Sequence, residues 1–464
     1  MQLYTLIMIK HYRIFITILF AVIAFGANAQ STATTSSPYS RYGLGTIDPI
    51  LLPQTIGMGG IATAINQIGF FNNINPENPA SYGFIHFTTI DAGFSSNLSS
   101  LSQFNSTGTG TLTDHNSNFK FSHVAFGIPI SKKSAISFGL FPYSEMGYNT
   151  QVTKTGFGST ATPPGSPKVD TNVTNYTYNG EGGLSKAYVG YGFGIGKHLF
   201  IGANASYIFG DLHQYSSTQI PTLYGMLNPI IESSNVVGGV NYDYGAQYSF
   251  DFGEYSTEHL VLGYSAQANT SLNSTNTYIV SQFTFASDGT QNVAADTLIN
   301  NQQAKTKIQL PQINHFGISF QNDGHFLVGA DYTMGHWSAL TIDGVNQGLR
   351  DSKTFNVGGQ FSPNPTALNN YFARANYQLG FKYDESYLYL NNTNIKSYAL
   401  TFGMGFPLAP GNVGNSFYKI NFAAELGQTG TLGNTQNPLV KEKYITLHLN
   451  FVVNDRWFMK YKFE

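Results

Sequence analysis

The sequence predicts an all-β fold, a 14-stranded antiparallel transmembrane β-barrel with an N-terminal plug segment inside the lumen. Three observations carry that expectation. First, segments of roughly ten residues recur in which apolar side chains alternate with small or polar ones. The second face of these segments is mostly Gly, Ser, Thr, Ala, Asn and Gln, where a half-exposed sheet in water would carry charge. Second, charged residues make up 10% of the chain and aromatic residues 15%, whereas a soluble domain has about 25% charged residues. Third, the chain begins with an export signal, and no later apolar run is long enough to cross a bilayer as a helix.

The signal occupies residues 1–29. Lys10 and Arg13 form a basic stub, Ile14 to Phe25 is an apolar run broken only by Thr17, and Ala27-Asn28-Ala29 is a small-x-small cleavage site. A transmembrane helix would need about 18 apolar residues or more. Translation can start at Met1 or Met8. Without Lys10 and Arg13, 21 of the 23 basic residues remain against 25 acidic ones, with no basic cluster, so nucleic acid is not an expected partner. The chain has no cysteine, which excludes a lipoprotein anchor, a disulfide framework and a thiolate metal site. Together these features point to the outer membrane of a double-membraned bacterium.

Residues 30–83 break the alternation and read as a leader and plug. They contain Ser37-Pro38-Tyr39, Arg41-Tyr42-Gly43, Gly57-Met58-Gly59-Gly60-Ile61-Ala62 and Asn75-Pro76-Glu77-Asn78-Pro79-Ala80-Ser81, with turn residues where a strand needs none. An eight-stranded barrel fills itself with side chains and one of sixteen or more leaves a channel, so fourteen strands call for a filler. A disordered periplasmic leader suits 30–36 but not the apolar, glycine-punctuated 51–83.

The barrel is expected over 84–453. Its spans are 84–96, 118–129, 134–148, 178–195, 198–210, 236–252, 258–272, 304–321, 324–335, 352–361, 370–386, 396–408, 415–427 and 440–453. The joins after even-numbered spans, such as Ser131-Lys132-Lys133 and Gly196-Lys197, are fairly short, and those after odd spans mostly longer and polar. Short turns belong in the periplasm, so both barrel ends lie there. In 198–210, Leu199, Ile201, Ala203, Ala205, Tyr207 and Phe209 face lipid. In 370–386 the Tyr371 parity faces lipid, and Arg374 and Lys382 face the lumen, because an arginine in the bilayer midplane costs about 2–4 kcal/mol. Several spans exceed the 9–11 residues a bilayer needs, so the wall is expected to project beyond it. Residues 454–464 read as a basic-aromatic periplasmic tail, or else as a fifteenth strand.

Enzyme chemistry finds no support. The eleven histidines are dispersed, with no HExxH and no G-x-S-x-G elbow. The period of two in Gly190, Gly192, Gly194 and Gly196 marks small lumen-facing residues rather than a phosphate loop. No catalytic residue, metal ligand or cofactor is expected.

The stretch Gly-Met-Gly-Gly-x-Ala followed by Asn-Pro-Ala-Ser before the first strand resembles the hatch of FadL-type outer-membrane channels, through Gly57, Gly59, Ala62, Asn78, Pro79 and Ala80. The local motif covers about 25 residues, and the likeness of topology covers nearly the whole mature chain. The resemblance implies passive uptake of hydrophobic compounds such as long-chain fatty acids, gated at Gly57, Gly59, Asn78, Pro79 and Ala80. It further implies a kinked third strand opening laterally at Gly139, Pro142 and Gly147. An apolar loop at 211–235, with Ile220, Leu223, Tyr224, Met226, Leu227 and Ile230, would serve as extracellular capture site, or else pack on the barrel rim. The added leader at 37–45 and the tail point instead to a structural or adaptor barrel in a secretion or assembly complex, with other envelope proteins as partners. A gated porin for polar solutes is a third reading.

Overall fold

The computed structural model describes residues 35–66, 73–105, 110–157, 172–220, 225–253, 257–286, 290–292, 294–322, 324–367, 369–408, 416–433 and 438–455. Among these residues the wall is built of fourteen antiparallel strands. They are β1 Thr88–Phe104, β2 Thr111–Ser131, β3 Ser134–Phe157, β4 Asn172–Ile195, β5 Leu199–Gln219, β6 Asn228–Phe252, β7 in two pieces Glu258–Gln267 and Ser271–Phe283, and β8 in two pieces Asp296–Gln309 and Ile313–Asn322. The remainder are β9 Phe326–Gly335, β10 Ser352–Phe361, β11 Asn376–Leu390, β12 Thr393–Pro407, β13 Phe417–Thr429 and β14 Lys441–Asp455. β14 pairs with β1 from Asp455–Thr88 to Lys441–Ser102, so the sheet closes on itself and leaves no terminal edge. No described helix is long and apolar enough to cross a membrane.

Alternation builds this wall as the sequence suggests. On β12, Tyr398, Leu400 and Phe402 are 44–47% exposed on the outside while Ala399 and Thr401 between them are buried. Tyr207 and Phe209 on β5, and Leu379 and Phe381 on β11, likewise lie outside, with Asn204, Ser206, Asn376 and Gln378 buried within. Apolar atoms without a protein partner on a closed barrel are there for lipid.

The wall departs from the expected spans in two ways. β3, β4, β5 and β6 run to 24, 24, 21 and 25 residues, so the barrel stands well above a bilayer that 9–11 residues would span. As a result the expected apolar loop 211–235 is largely wall. Residues 211–219 continue β5 and 228–235 begin β6, paired from Asp211–Val236 to Ser217–Ile230. The long join expected between spans eleven and twelve is likewise a two-residue turn, Asn391-Asn392, both at positive φ. The second departure concerns the start of β11. Phe372–Arg374 is a single 3-10 turn before the strand, so Arg374 lies outside the paired wall. Its guanidinium rests over the Tyr371 ring at 5.3 Å, and the midplane argument for its direction does not apply.

Residues 1–29 and 456–464 lie outside the described residues, and with them the signal peptide and most of the tail.

Candidate functional site

Within the ring lies the described part of residues 35–87. Leu52 opens a one-turn helix, Pro53–Ile56, in which proline at the first position supplies the right φ and lacks an N–H that would go unused. Gly57 caps it, and the chain then turns through Gly59 at φ +76° and Gly60 at +83°, a conformation that favours glycine. Asn78 caps a second short helix, Pro79–Phe84, by accepting from the Ala80 amide at 3.1 Å. Its amide nitrogen donates to the Thr63 carbonyl at 2.7 Å and so ties the two halves of the hatch together. Met58, Ile61, Ile74, Ala80 and Tyr82 are wholly buried.

The wall receives the hatch through polar side chains and through glycines. Asp331 on β9 accepts from the amides of Ala62 and Thr63 at 2.7 and 2.8 Å. Thr401 on β12 accepts from the Gly59 amide at 2.8 Å, and Asn204 on β5 donates to the Pro76 carbonyl at 3.1 Å. Gly192, Gly202 and Gly245 on β4, β5 and β6 face one another in register, as do Gly263 and Gly317 on β7 and β8, and Gly358 and Gly380 on β10 and β11. A Cβ on any of these would meet the hatch, at Pro79, Asn78, Thr63, Ala64, Met58 or Gly59. The lumen glycines thus form a belt against which the hatch backbone lies directly.

Above the hatch is a cavity of about 480 Å³ lined by leader, hatch and wall. Its walls carry Asp48, Glu77, Glu145, Asp243, Asp331, Asp384, Glu425 and Glu442 against Lys120, Lys186 and Lys382. Lys186 on β4 pairs with Asp243 on β6 at 2.8 Å, and His315 on β8 meets Glu77 of the hatch at 2.8 Å. A second, apolar layer packs around Tyr39 and Leu44 of the leader. It joins Leu212, Val237, Leu272 and Ile308 of the wall with Trp337, Leu340 and Leu349 from the β9–β10 connection. The interior therefore holds a hatch, an acid-rich chamber and an apolar cap, and cap residues such as Tyr39, Trp337 and Leu388 line the chamber too.

Burial pushes the Glu77 carboxyl up, and the adjacent His315 overrides this and holds it below its ordinary value. A carboxyl depressed by folding contributes its full stabilisation above the unfolded pKa and loses it as pH falls through the folded one. Acidification below about pH 4.3 should therefore loosen the hatch, seen as conductance bursts in planar bilayers. Glu77→Gln should flatten that dependence, and an unchanged pH profile in the variant would sink the assignment.

One seam of the wall is incomplete. β2 and β3 pair only between Val124–Leu140 and Ser131–Ser134, while β3 and β4 pair along nearly their whole length. The seam opens where two irregularities face each other, one in β2 opposite Gly93/Phe94 and one in β3 between Pro142 and Ser144. Proline cannot donate to a ladder, and bulges bend the strand that carries them. Beyond this point Tyr143, Met146 and Tyr148 are buried on both faces of β3, so the strand has turned into the lumen. There it pairs with Thr46–Ile47 of the leader, at Glu145 and Ser144. Lys120 on β2 spans the seam to Glu145 on β3 at 2.8 Å and to Asp48 of the leader at 2.7 Å.

The residues singled out in sequence are thus distributed. Gly57, Gly59, Asn78, Pro79 and Ala80 converge in the hatch. Gly139 and Pro142 flank the last rung of the seam, and Gly147 sits farther along, its amide bonded to Ser40 at 3.0 Å. Ile230 is buried in the extended wall and Ile220 just past the end of β5, Met226 and Leu227 are exposed at the rim, and Leu223 and Tyr224 lie outside the described residues. Lys382 lines the chamber beside Asp384. Sequence reasoning missed Asp331, the Lys186–Asp243 pair and the Lys120 cluster. All are lone charges on lumen parity, and that parity was their only available signal.

A closed barrel that is apolar outside and polar within is an outer-membrane protein. A family model described as BamG matches residues 8–464. No curated protein matches the chain. Among solved structures, a FadL homologue of Pseudomonas aeruginosa is 12% identical with a TM-score of 0.55, covering 89% of this chain and 100% of its own. A TodX monoaromatic hydrocarbon channel with a deltaS2S3 mutation is 12% identical with a TM-score of 0.54, covering 88% and 99%. The Pseudomonas putida toluene transporter TodX is 12% identical with a TM-score of 0.50, covering 89% and 100%. At these identities the likeness is one of fold.

Proposed function

The chain belongs to the BamG family, and we propose that it serves as a plugged structural or adaptor barrel within an outer-membrane secretion or assembly complex. The observation that carries this is the lumen itself, filled by a hatch and a cap with an acid-rich chamber between them. A hydrophobic solute gains about 25 cal/mol for each Å² of apolar surface it buries. The chamber carries eight carboxylates and three lysines among its lining, and displacing the water on those charges costs a hydrophobic solute free energy that its apolar contacts there must offset. The leader at 37–45, additional to a FadL-type hatch, supplies Tyr39 and Leu44 to the cap and so has a structural task.

Purification of the tagged barrel in mild detergent, followed by mass spectrometry of proteins and lipids, tests the reading. Other envelope proteins should co-purify in stoichiometric amount. A barrel that emerges alone with a bound hydrophobic compound would overturn the adaptor role.

A second reading, passive uptake of hydrophobic compounds such as long-chain fatty acids, is favoured by one observation, the seam between β2 and β3. A solute arriving at Met226 and Leu227 would leave sideways past Gly139 and Pro142 once the hatch around Asn78–Ala80 moves. The FadL homologue and the hydrocarbon channels share this barrel fold, which supports the reading to that extent. Neither reading assigns a catalytic step to the chain.

A further inference from the structure

From the open seam we infer that the free edge of β2, Thr111–His123, is a docking edge for an extended strand of another envelope protein. The inference rests on the adaptor reading and names where the partner binds.

On one side this stretch of β2 is paired with β1 from Thr111–Phe104 to His123–Gly93, with only Ser122 bulged out of the ladder. On the other, no described strand pairs with it, because β3 has turned inward after Leu140. The leader does not substitute. Among the described residues it reaches β2 by side chains, Ser36 to Asn118 at 3.4 Å and Asp48 to Lys120 at 2.7 Å, while its own short strand pairs with β3. About half of the backbone donors and acceptors of a strand point to each side, so one full row faces the gap. The Asn105 amide donates to the Gly110 carbonyl at 2.9 Å, and counting along the ladder from that rung puts the odd-numbered amides of Thr111–Phe121 on the open side, where the His115 amide meets the neighbouring Asp114 carboxylate at 3.0 Å.

Three occupants compete for such an edge. A lipid tail cannot satisfy a row of N–H and C=O groups, and an open sheet edge facing lipid leaves each of them unpaired. A second copy of this chain fails on symmetry. Two barrels inserted the same way are related by an axis along the membrane normal, which sets identical β2 edges side by side and parallel, with donors opposite donors. An extended segment of a different chain, running antiparallel to β2, meets every requirement. Its side chains must alternate. One face lies beside Phe119 and Phe121, which are exposed toward lipid, and must be apolar; the other faces Asn118 and Lys120 and must be small and polar.

Ser117→Pro removes an open-side N–H, at a position where an edge strand tolerates proline, whereas Asn118→Pro removes one from the β1 ladder. The Ser117→Pro barrel should keep its heat-resistant folded mobility yet lose its co-purifying envelope partner about tenfold or more. The Asn118→Pro barrel should lose the folded mobility. A photo-crosslinker at Ser117 should join that same partner, and one at Val328 on β9 should not. Full partner recovery with folded Ser117→Pro barrel, or crosslinks from Ser117 to lipid alone, would overturn the docking edge and leave the adaptor reading standing. A wild-type barrel that brings down no partner at all removes both.

Discussion

Lys186→Met should cost the barrel about 3 kcal/mol of stability, because it leaves the Asp243 carboxylate inside the lumen without its cation. The pair joins β4 to β6 across β5 at 2.8 Å, with Lys186 almost fully buried and Asp243 slightly accessible from the chamber. A buried pair is weak evidence of net stabilisation, since removing both charges recovers much of what removing one loses. The double variant Lys186→Met with Asp243→Leu should accordingly regain most of the stability. Urea titrations of heat-modifiable gel mobility would measure both. Equal losses in the single and double variants would show that the lysine matters through packing rather than charge.

A barrel carrying Gly380→Val should fold its wall and lose its hatch. Valine suits an extended strand, so β11 itself gains rather than suffers. Inside the lumen, however, the added Cβ would run into the Gly59 amide and the backbone of Met58. Backbone cannot swing aside as the end of a side chain can, and Gly59 is itself held at φ +76°. Overpacking of this kind costs about 1–3 kcal/mol, comparable to the hatch's individual contacts with Asp331 and Thr401. The expected result is steady ion conductance in planar bilayers where the wild type shows little, with folded mobility unchanged. Leu379→Val, on the lipid face of the same strand, should behave as wild type. A quiet Gly380→Val barrel would mean that the hatch does not control the lumen.

Some parts of the molecule were legible because their cause is local. The two-residue period of β5 and β12 puts Tyr207, Leu400 and Phe402 outside whatever the neighbouring strands are. Asn78-Pro79 announces a capped turn on its own, because the asparagine side chain needs only the Ala80 amide two residues on. Arg374 shows the limit of the same logic. Alternation counted it into a strand, yet its neighbours fold into a 3-10 turn that period alone does not distinguish from a strand end. The 211–235 stretch failed similarly. Its apolar residues looked like a greasy loop because the fifth span was expected to end at 210 and the sixth to begin at 236, and both strands instead carry on pairing between those points.

The alternating pattern by itself determined a fourteen-stranded wall with lipid outside, together with an N-terminal segment that could not belong to that wall. Side-chain period is a property of consecutive residues, so one chain suffices to read it. Only the tertiary structure decided what the lumen is. Gly202 is an ordinary small residue until register sets it beside Gly192 and Gly245 and beneath Pro79. Lys120 is a lone cation until the turning of β3 and the course of the leader bring Glu145 and Asp48 to it. Register and strand bending depend on contacts between residues far apart in the chain, and those distances are absent from the order of the amino acids.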